Sequence, residues 1–147
     1  MVYWGAEEML MAKTIETPSG PSRRFDVAGY EAIDPAALET FPYEYPGKEV
    51  SVDIDTDEFT AVCPWSGLPD FGTVKIRYLP QKRILELKSL KYYLFSYRNV
   101  GIFQEHAVVR ILDDLAKVAD PQWMEITLDY KVRGGLHTVC RARYPHL

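Results

Sequence analysis

The chain has 147 residues, a mass of 16.9 kDa and a formal charge of −4 from 17 basic and 21 acidic residues. One domain accounts for that length, and a net acidic chain with a pI near 5.4 cannot hold polyanions by bulk charge, so any phosphate must be gripped by a local cluster. Two cysteines, Cys63 and Cys140, exclude a disulfide scaffold and suit a reducing cytoplasm, and no apolar run reaches the length of a membrane span.

The first residues lack the basic region and apolar core of a signal peptide, since Glu7 and Glu8 precede only the short run Met9-Leu10-Met11-Ala12. Met9 and Met11 stand as alternative starts. Residues 1–47 carry Pro18, Pro21, Pro35, Pro42 and Pro46 and read as an irregular arm over the domain, with a short helical turn at Pro35–Leu38. Residues 48–147 form the domain. Lys48–Phe59 alternates, with Val50, Val52 and Ile54 on one face and Ser51, Asp53 and Asp55 on the other, as in a half-buried strand. A turn-rich segment follows, Cys63-Pro64-Trp65-Ser66-Gly67-Leu68-Pro69-Asp70. Phe71–Leu79 alternates again, and Ile84–Leu87 is a short extended piece. The period then changes to helical at Leu90, Tyr93, Leu94 and Tyr97, closed by Asn99 and Gly101. A second helix is expected over Glu105–Ala119, with Val108, Ile111, Leu112 and Leu115 as its stripe and Pro121 beyond its end. Trp123–Arg133 and Leu136–Tyr144 read as a final hairpin around Gly134-Gly135. The order strand, strand, helix, helix, strand, strand predicts an α+β domain with antiparallel pairing.

Four blocks carry chemistry. Cys63, with Pro64 breaking the strand after it, lies where loops form sites; the bland reading is a buried core thiol. Asp70 is the nearest proton carrier, or an ordinary turn carboxylate. Lys88 and Lys91, near a helix start with its free backbone N–H groups, suit phosphates, and Tyr92 or Tyr93 can stack on a ring; the bland reading is a solvated face with Glu86 as a local partner. Glu105 is either a favourable charge in a helix first turn or an acceptor for two N–H groups of a guanine-like edge. Arg133-Gly134-Gly135 is a hairpin turn with a flanking charge or an arginine set for phosphate contact. His106, His137 and His146 make no metal-ligand spacing with either cysteine, so no metal site is expected.

Together these blocks resemble the NADPH-dependent 7-cyano-7-deazaguanine reductases, the nitrile reductases of queuosine biosynthesis. The resemblance rests on Cys63-Pro64 through Gly67, Pro69-Asp70-Phe71, Glu86-Leu87-Lys88-Ser89-Leu90-Lys91-Tyr92-Tyr93, Ser96-Tyr97-Arg98-Asn99, Phe103 with Glu105, and Arg133-Gly134-Gly135. It covers roughly residues 48–143, and the Glu86–Tyr93 stretch looks like the family's cofactor motif. It implies the tunnelling fold, a four-stranded antiparallel sheet with two helices on one face (ββααββ), closing into a ring-shaped homo-oligomeric barrel in paired rings, with sites between subunits. Catalysis would fall to Cys63, forming a thioimide, and Asp70, donating protons. Glu105, Gln104, Leu85, Glu86 and Ser89 would bind substrate. Lys88, Ser89, Lys91, Arg133 and Gly134 would bind NADPH. The setting implied is cytoplasmic, in the tRNA-modification pathway, with no direct nucleic-acid or membrane contact.

Two departures stand out. Many family members carry a histidine directly before the base-binding glutamate; here it is Gln104, with His106 following. Some carry a second cysteine soon after; here the position region holds Ala107. The competing readings are a non-redox amidinotransferase-like relative, which lacks the cofactor motif, a zinc-dependent GTP cyclohydrolase-like enzyme, and a non-catalytic purine-binding barrel protein.

Overall fold

The computed structural model describes residues 27–146. Residues 1–26 of the expected arm lie outside the described residues. From Val27 onward the arm is integral to the domain. Ile33 and Leu38 join the core, the expected turn is a 3-10 helix at Pro35–Ala37, and strand β1 (Thr40–Pro42) pairs antiparallel with β4 (Arg83–Leu85). That ribbon was not anticipated, because three-residue strands carry too little alternation to show.

The main sheet has four strands in the order β2 (Val52–Val62), β3 (Pro69–Leu79), β5 (Trp123–Tyr130), β6 (Val139–Tyr144), every neighbour antiparallel. Helices α1 (Leu87–Phe95) and α2 (Gln104–Ala119) pack on one face, α1 against β2 and α2 against β5 and β6. Alternation decides which face is covered. On β3, Asp70, Gly72, Val74, Ile76 and Tyr78 are buried, while Phe71, Lys75 and Arg77 are exposed. On β5, Met124, Ile126, Leu128 and Tyr130 join the core. The opposite face is polar, with Arg77 paired to Asp53 at 2.6 Å and His137 to Asp129 at 2.7 Å.

The boundaries differ from the sequence expectation in ways that matter. β2 runs three residues past Phe59, so Cys63 leaves the sheet directly. β3 begins at Pro69, so Asp70 is a strand residue and not a loop residue. β5 stops at Tyr130 and β6 starts at Val139, so Arg133 lies on the connection between them.

The two helices are tied by a polar network inside the core. The Tyr93 hydroxyl donates to Asp114 Oδ2 at 2.7 Å and shares a 2.8 Å bond with the Tyr97 hydroxyl, and Arg110 Nε donates to the same Asp114 oxygen at 2.8 Å. Burial, first, and the neighbouring hydroxyl and carboxylate push the Tyr93 phenol far upward, so it stays neutral. Asp114→Ala leaves the buried Tyr93 hydroxyl and the Arg110 guanidinium without their acceptor. It should lower stability by about 2 kcal/mol, read as a lower urea midpoint at fixed protein concentration, whereas the exposed Asp113→Ala should leave the midpoint nearly unchanged.

Candidate active site

The site is built at the end of the sheet where β2 stops, β3 starts, β5 stops and α2 starts. Val62, the last residue of β2, donates its N–H to the Val100 carbonyl at 2.9 Å and accepts from the Ile102 N–H at 3.0 Å. This sets the start of α2 beside Cys63. Pro64 removes a donor and bars further sheet pairing. The chain turns, with the Gly67 N–H bound to the Cys63 carbonyl at 2.8 Å and the Cys63 N–H bound to the Leu68 carbonyl at 2.9 Å. Gly67 sits at φ +69°, a left-handed position that a side chain would strain.

That turn wraps the sulfur. Partial burial raises the Cys63 thiol, but the Ser66 hydroxyl, the backbone N–H groups of Ser66 and Trp65, and the Arg133 guanidinium outweigh it. The net pKa falls below that of an ordinary thiol. Cys140 moves the other way, raised by burial and then by the charge of Glu105. The two cysteines therefore have opposite character.

Asp70 lies opposite Ala61 in the β2–β3 register and is only 3 % exposed. Arg133 reaches it from the β5–β6 connection. Its Nη1 donates to Asp70 Oδ1, and its Nη2 donates to Ser66 Oγ at 3.2 Å. Arg133, expected to contact phosphate, bonds Asp70 and Ser66 within this chain. Gly134 and Gly135 follow at φ +57° and +81° and form the tight turn that presents it. Tyr130 runs beside Asp70 because Gly72 has no side chain, and a Cβ there would meet the Asp129 carbonyl at 2.9 Å and Tyr130 Cδ1 at 3.3 Å. Burial, then the charges of Cys140, Asp70 and Glu105, raise the Tyr130 phenol. These effects place Glu105, in the first turn of α2, in the same neighbourhood. Gln104 opens that helix.

The second expected block is elsewhere. The Leu85 N–H donates to the Tyr78 hydroxyl at 3.0 Å, so Leu85 and the start of α1 sit at the Tyr78 end of β3. Asp70 and Tyr78 are eight positions apart on one strand, about 26 Å at roughly 3.3 Å per residue. Within one chain, Leu85, Glu86 and Ser89 cannot share a two-ring base with Glu105.

The expectation of free N–H groups at the start of α1 needs correction. Glu86 is the N-cap, and its carboxylate accepts from the Lys88 N–H and the Ser89 N–H, both at 2.7 Å. Those bonds hold its pKa below the usual carboxylate range, with Lys88 adding a smaller charge effect. Ser89 is buried, donating to the Glu86 carbonyl at 2.8 Å and accepting from the Glu39 N–H at 2.9 Å. An anion arriving here meets a carboxylate at the helix start. Side chains must therefore do the binding. Lys88 is exposed, and Lys91 lies over the Phe95 ring and forms a 3.7 Å pair with Glu58, both side chains of the pair 63 % exposed. Such a pair is weak and readily exchanged. With Tyr92 exposed beside them, these two cations fit a ligand that carries phosphates and an aromatic ring.

Sequence reasoning gave no role to Ser66 or to the Trp65 N–H. The signal was present as a cysteine followed by Pro-x-Ser-Gly, a tight turn that directs successive N–H groups inward.

Comparison with known proteins shows the family and the fold. A family model described as QueF-like protein matches residues 69–147. A Caldicellulosiruptor bescii protein named NADPH-dependent 7-cyano-7-deazaguanine reductase is 58 % identical over 122 residues, covering 83 % of this chain and 93 % of its own. A protein of the same name from Caldanaerobacter subterraneus subsp. tengcongensis is 58 % identical over 83 % of this chain and 91 % of its own, and one from Chloroherpeton thalassium is 49 % identical over 76 % and 97 %. Among solved structures, the apo form of the archaeosine synthase QueF-Like superposes with a TM-score of 0.61 at 21 % identity, covering 70 % of this chain and 99 % of that one. At that identity it supports the fold.

The opposite shifts of the two thiols predict selective labelling. At neutral pH Cys63 keeps a thiolate fraction where Cys140 is protonated, so iodoacetamide should modify Cys63 at least tenfold faster. Peptide mass spectrometry reads this directly. Equal rates at the two sites would show that the turn does not activate Cys63.

Proposed function

This chain belongs to the family of the NADPH-dependent 7-cyano-7-deazaguanine reductases, and we propose that it reduces the nitrile of 7-cyano-7-deazaguanine to the aminomethyl amine through Cys63, in queuosine biosynthesis. The observation that carries the mechanism is a thiol with a lowered pKa, one guanidinium away from a buried carboxylate.

A nitrile is a poor hydride acceptor, and covalent capture makes it a better one. Asp70 takes the proton of the Cys63 thiol, and the sulfur adds to the nitrile carbon as Asp70 passes that proton to nitrogen, forming a C–S bond and leaving a C=N bond, the thioimide. NADPH supplies the hydrides. After the first reaches that carbon, the C–S bond breaks and Cys63 leaves as thiolate. A second hydride and a second proton complete the amine, so the nitrile takes up two hydrides and two protons in all. Glu105 accepts the paired N–H groups of the deazaguanine edge, with Gln104 beside it.

The Leu85–Lys91 block reaches this site from a neighbouring copy. Its Leu85, Glu86 and Ser89 close the substrate pocket, and Lys88, Ser89 and Lys91 hold cofactor phosphates and ribose. Two features support the assembly. β2 and β6 are the outer strands of the sheet, and open edges favour pairing with another chain. The uncovered face is polar, as the wall of a water-filled ring requires. The assembly is a ring-shaped homo-oligomer, in paired rings, and works in the cytoplasm.

Intact mass is the primary test. Protein mixed with the nitrile should gain the substrate mass on Cys63, and NADPH should clear it with release of the amine. An adduct that NADPH never clears would point to a non-redox relative, and no adduct in assembled protein would remove the covalent mechanism. Cys63→Ala should abolish both adduct and turnover, and Asp70→Asn should reduce kcat by about 10²-fold or more. Lys91→Ala should raise the KM for NADPH about tenfold with little change in kcat.

Composite sites make a further demand. Cys63→Ala and a Lys88→Glu/Lys91→Glu double variant, each inactive alone, should regain activity when co-assembled. Mixed assemblies without activity would place the whole site within one chain.

A further inference from the structure

We propose that Arg133 is a positioning residue for Cys63: its guanidinium, bridging the Asp70 carboxylate and the Ser66 hydroxyl, fixes the Pro64-Trp65-Ser66 turn against the sulfur and sets a positive charge beside it. This rests on the reading of Cys63 as the nucleophile. It assigns Arg133 to the thiol end of the sheet, away from the Lys88–Lys91 block.

The geometry is specific. Nη1 bonds Asp70 Oδ1 and Nη2 bonds Ser66 Oγ at 3.2 Å. The planar fork lets one side chain reach two acceptors on different elements, which a lysine ammonium on its single flexible stem does poorly. Ser66 lies on the turn after β2, Asp70 lies on β3, and Arg133 comes from the β5–β6 turn, so three separate segments meet at one head group. The Arg133 side chain is 40 % exposed while Asp70's is 4 % exposed, so the cation enters the site from its rim. Arg133 needs no packing of its own to get there. Its turn is closed by the Arg133 and Leu136 backbone bonds at 2.9 Å, and Gly134-Gly135 supplies the left-handed backbone. The charged and titratable groups of this cluster are Arg133, which acts on the sulfur, and Asp70 from β3, Tyr130 from β5 and Glu105 from α2, with Asp70 bonded to Arg133 and the charges of Asp70 and Glu105 acting on Tyr130. Arg133 is the cation of that set, and its charge and hydrogen bond both favour the thiolate.

The chemistry explains why the arrangement serves the reaction. The thiolate must form before it attacks, and it must be re-formed as a leaving group after the first reduction. A fixed cation that belongs to neither reacting group stabilises the sulfur charge at both moments.

The test is the pH profile of Cys63 alkylation by iodoacetamide in a Cys140→Ser background, from about pH 5 to about pH 10. Arg133→Gln should move the midpoint upward by about one pH unit or more. Arg133→Lys should fall between Gln and wild type, and Ser66→Ala, which removes the hydroxyl that bonds the sulfur and Arg133, should also move the midpoint upward. A merely structural role would leave the midpoint in place. An unchanged midpoint in Arg133→Gln, with an unchanged circular dichroism spectrum, would overturn the proposal. Should Arg133→Gln fail to fold, Arg133→Lys and Ser66→Ala decide in the same way. Alkylation needs no nitrile or NADPH, so a shifted midpoint in a protein that forms no nitrile adduct would sink the reductase mechanism and leave the role of Arg133 standing.

Discussion

A single extra residue in β2 decides where the thiol points. Val52, Ile54 and Thr56 lie opposite Tyr78, Ile76 and Val74, but the register shifts between Thr56 and Phe59, and from there Phe59 lies opposite Gly72 and Ala61 opposite Asp70. Before the shift the even-numbered residues face the helices, and after it the odd-numbered ones do. Cys63 continues the parity of Phe59 and Ala61. A regular strand would turn it to the polar face, because one residue of slip exchanges the two faces of a strand. The bulge thus lets one β2 strand contribute Ile54 to the helix side at one end and Cys63 to the side of Asp70 at the other. Val62 then fixes the position, since both of its backbone groups bond the segment between the helices.

Everything reactive gathers at that end because the topology brings element ends there. In an antiparallel sheet the end of β2, the start of β3, the end of β5 and the start of β6 coincide, and α2 starts there too. α1 starts at the opposite end, held by Leu85 on the Tyr78 hydroxyl and by Ser89 on the Glu39 N–H. The separation is a property of the connections and not of side-chain conformation, so no rotamer change closes it. A site that uses both ends needs a second chain, and the open edges of the sheet are where such a chain can add.

The sequence made much of this legible, and the failures share a cause. Alternation in Phe71–Leu79 and Trp123–Tyr130 and the helical stripe through Val108, Ile111, Leu112 and Leu115 survive almost unaltered, because burial on one face imposes the period directly. Cys63 and Asp70 stood out through their turn chemistry. The bulge did not, because its evidence is a pairing register, which one strand does not carry. Ser66 and Arg133 were visible as residues, but their meeting depends on contacts across 67 positions. Glu86 was read as a helix partner for lysine, although a glutamate three residues before Ser89 is also placed to take the first N–H groups of a helix. Periodicity and turn residues report local constraint, and partnership between distant segments lies beyond them.

The two helix starts show how finely that local chemistry is divided. Both lie near residues with a proposed ligand role, and both begin with unsatisfied N–H groups that favour negative charge. At α1 the Glu86 carboxylate takes two of them, which removes the backbone as an anion site and leaves the proposed binding to the Lys88 and Lys91 side chains. At α2 the N-cap is Phe103, which has no side-chain acceptor, and the first turn presents Glu105 to the site. A carboxylate in that position is stabilised by the helix end while its oxygens stay available to donors from outside. The same physical element is therefore closed by its own chain in one place and left open to a ligand in the other. The proposed placing of the neutral, N–H-bearing base edge at α2 and of the anionic cofactor on the side chains of α1 rests on that difference.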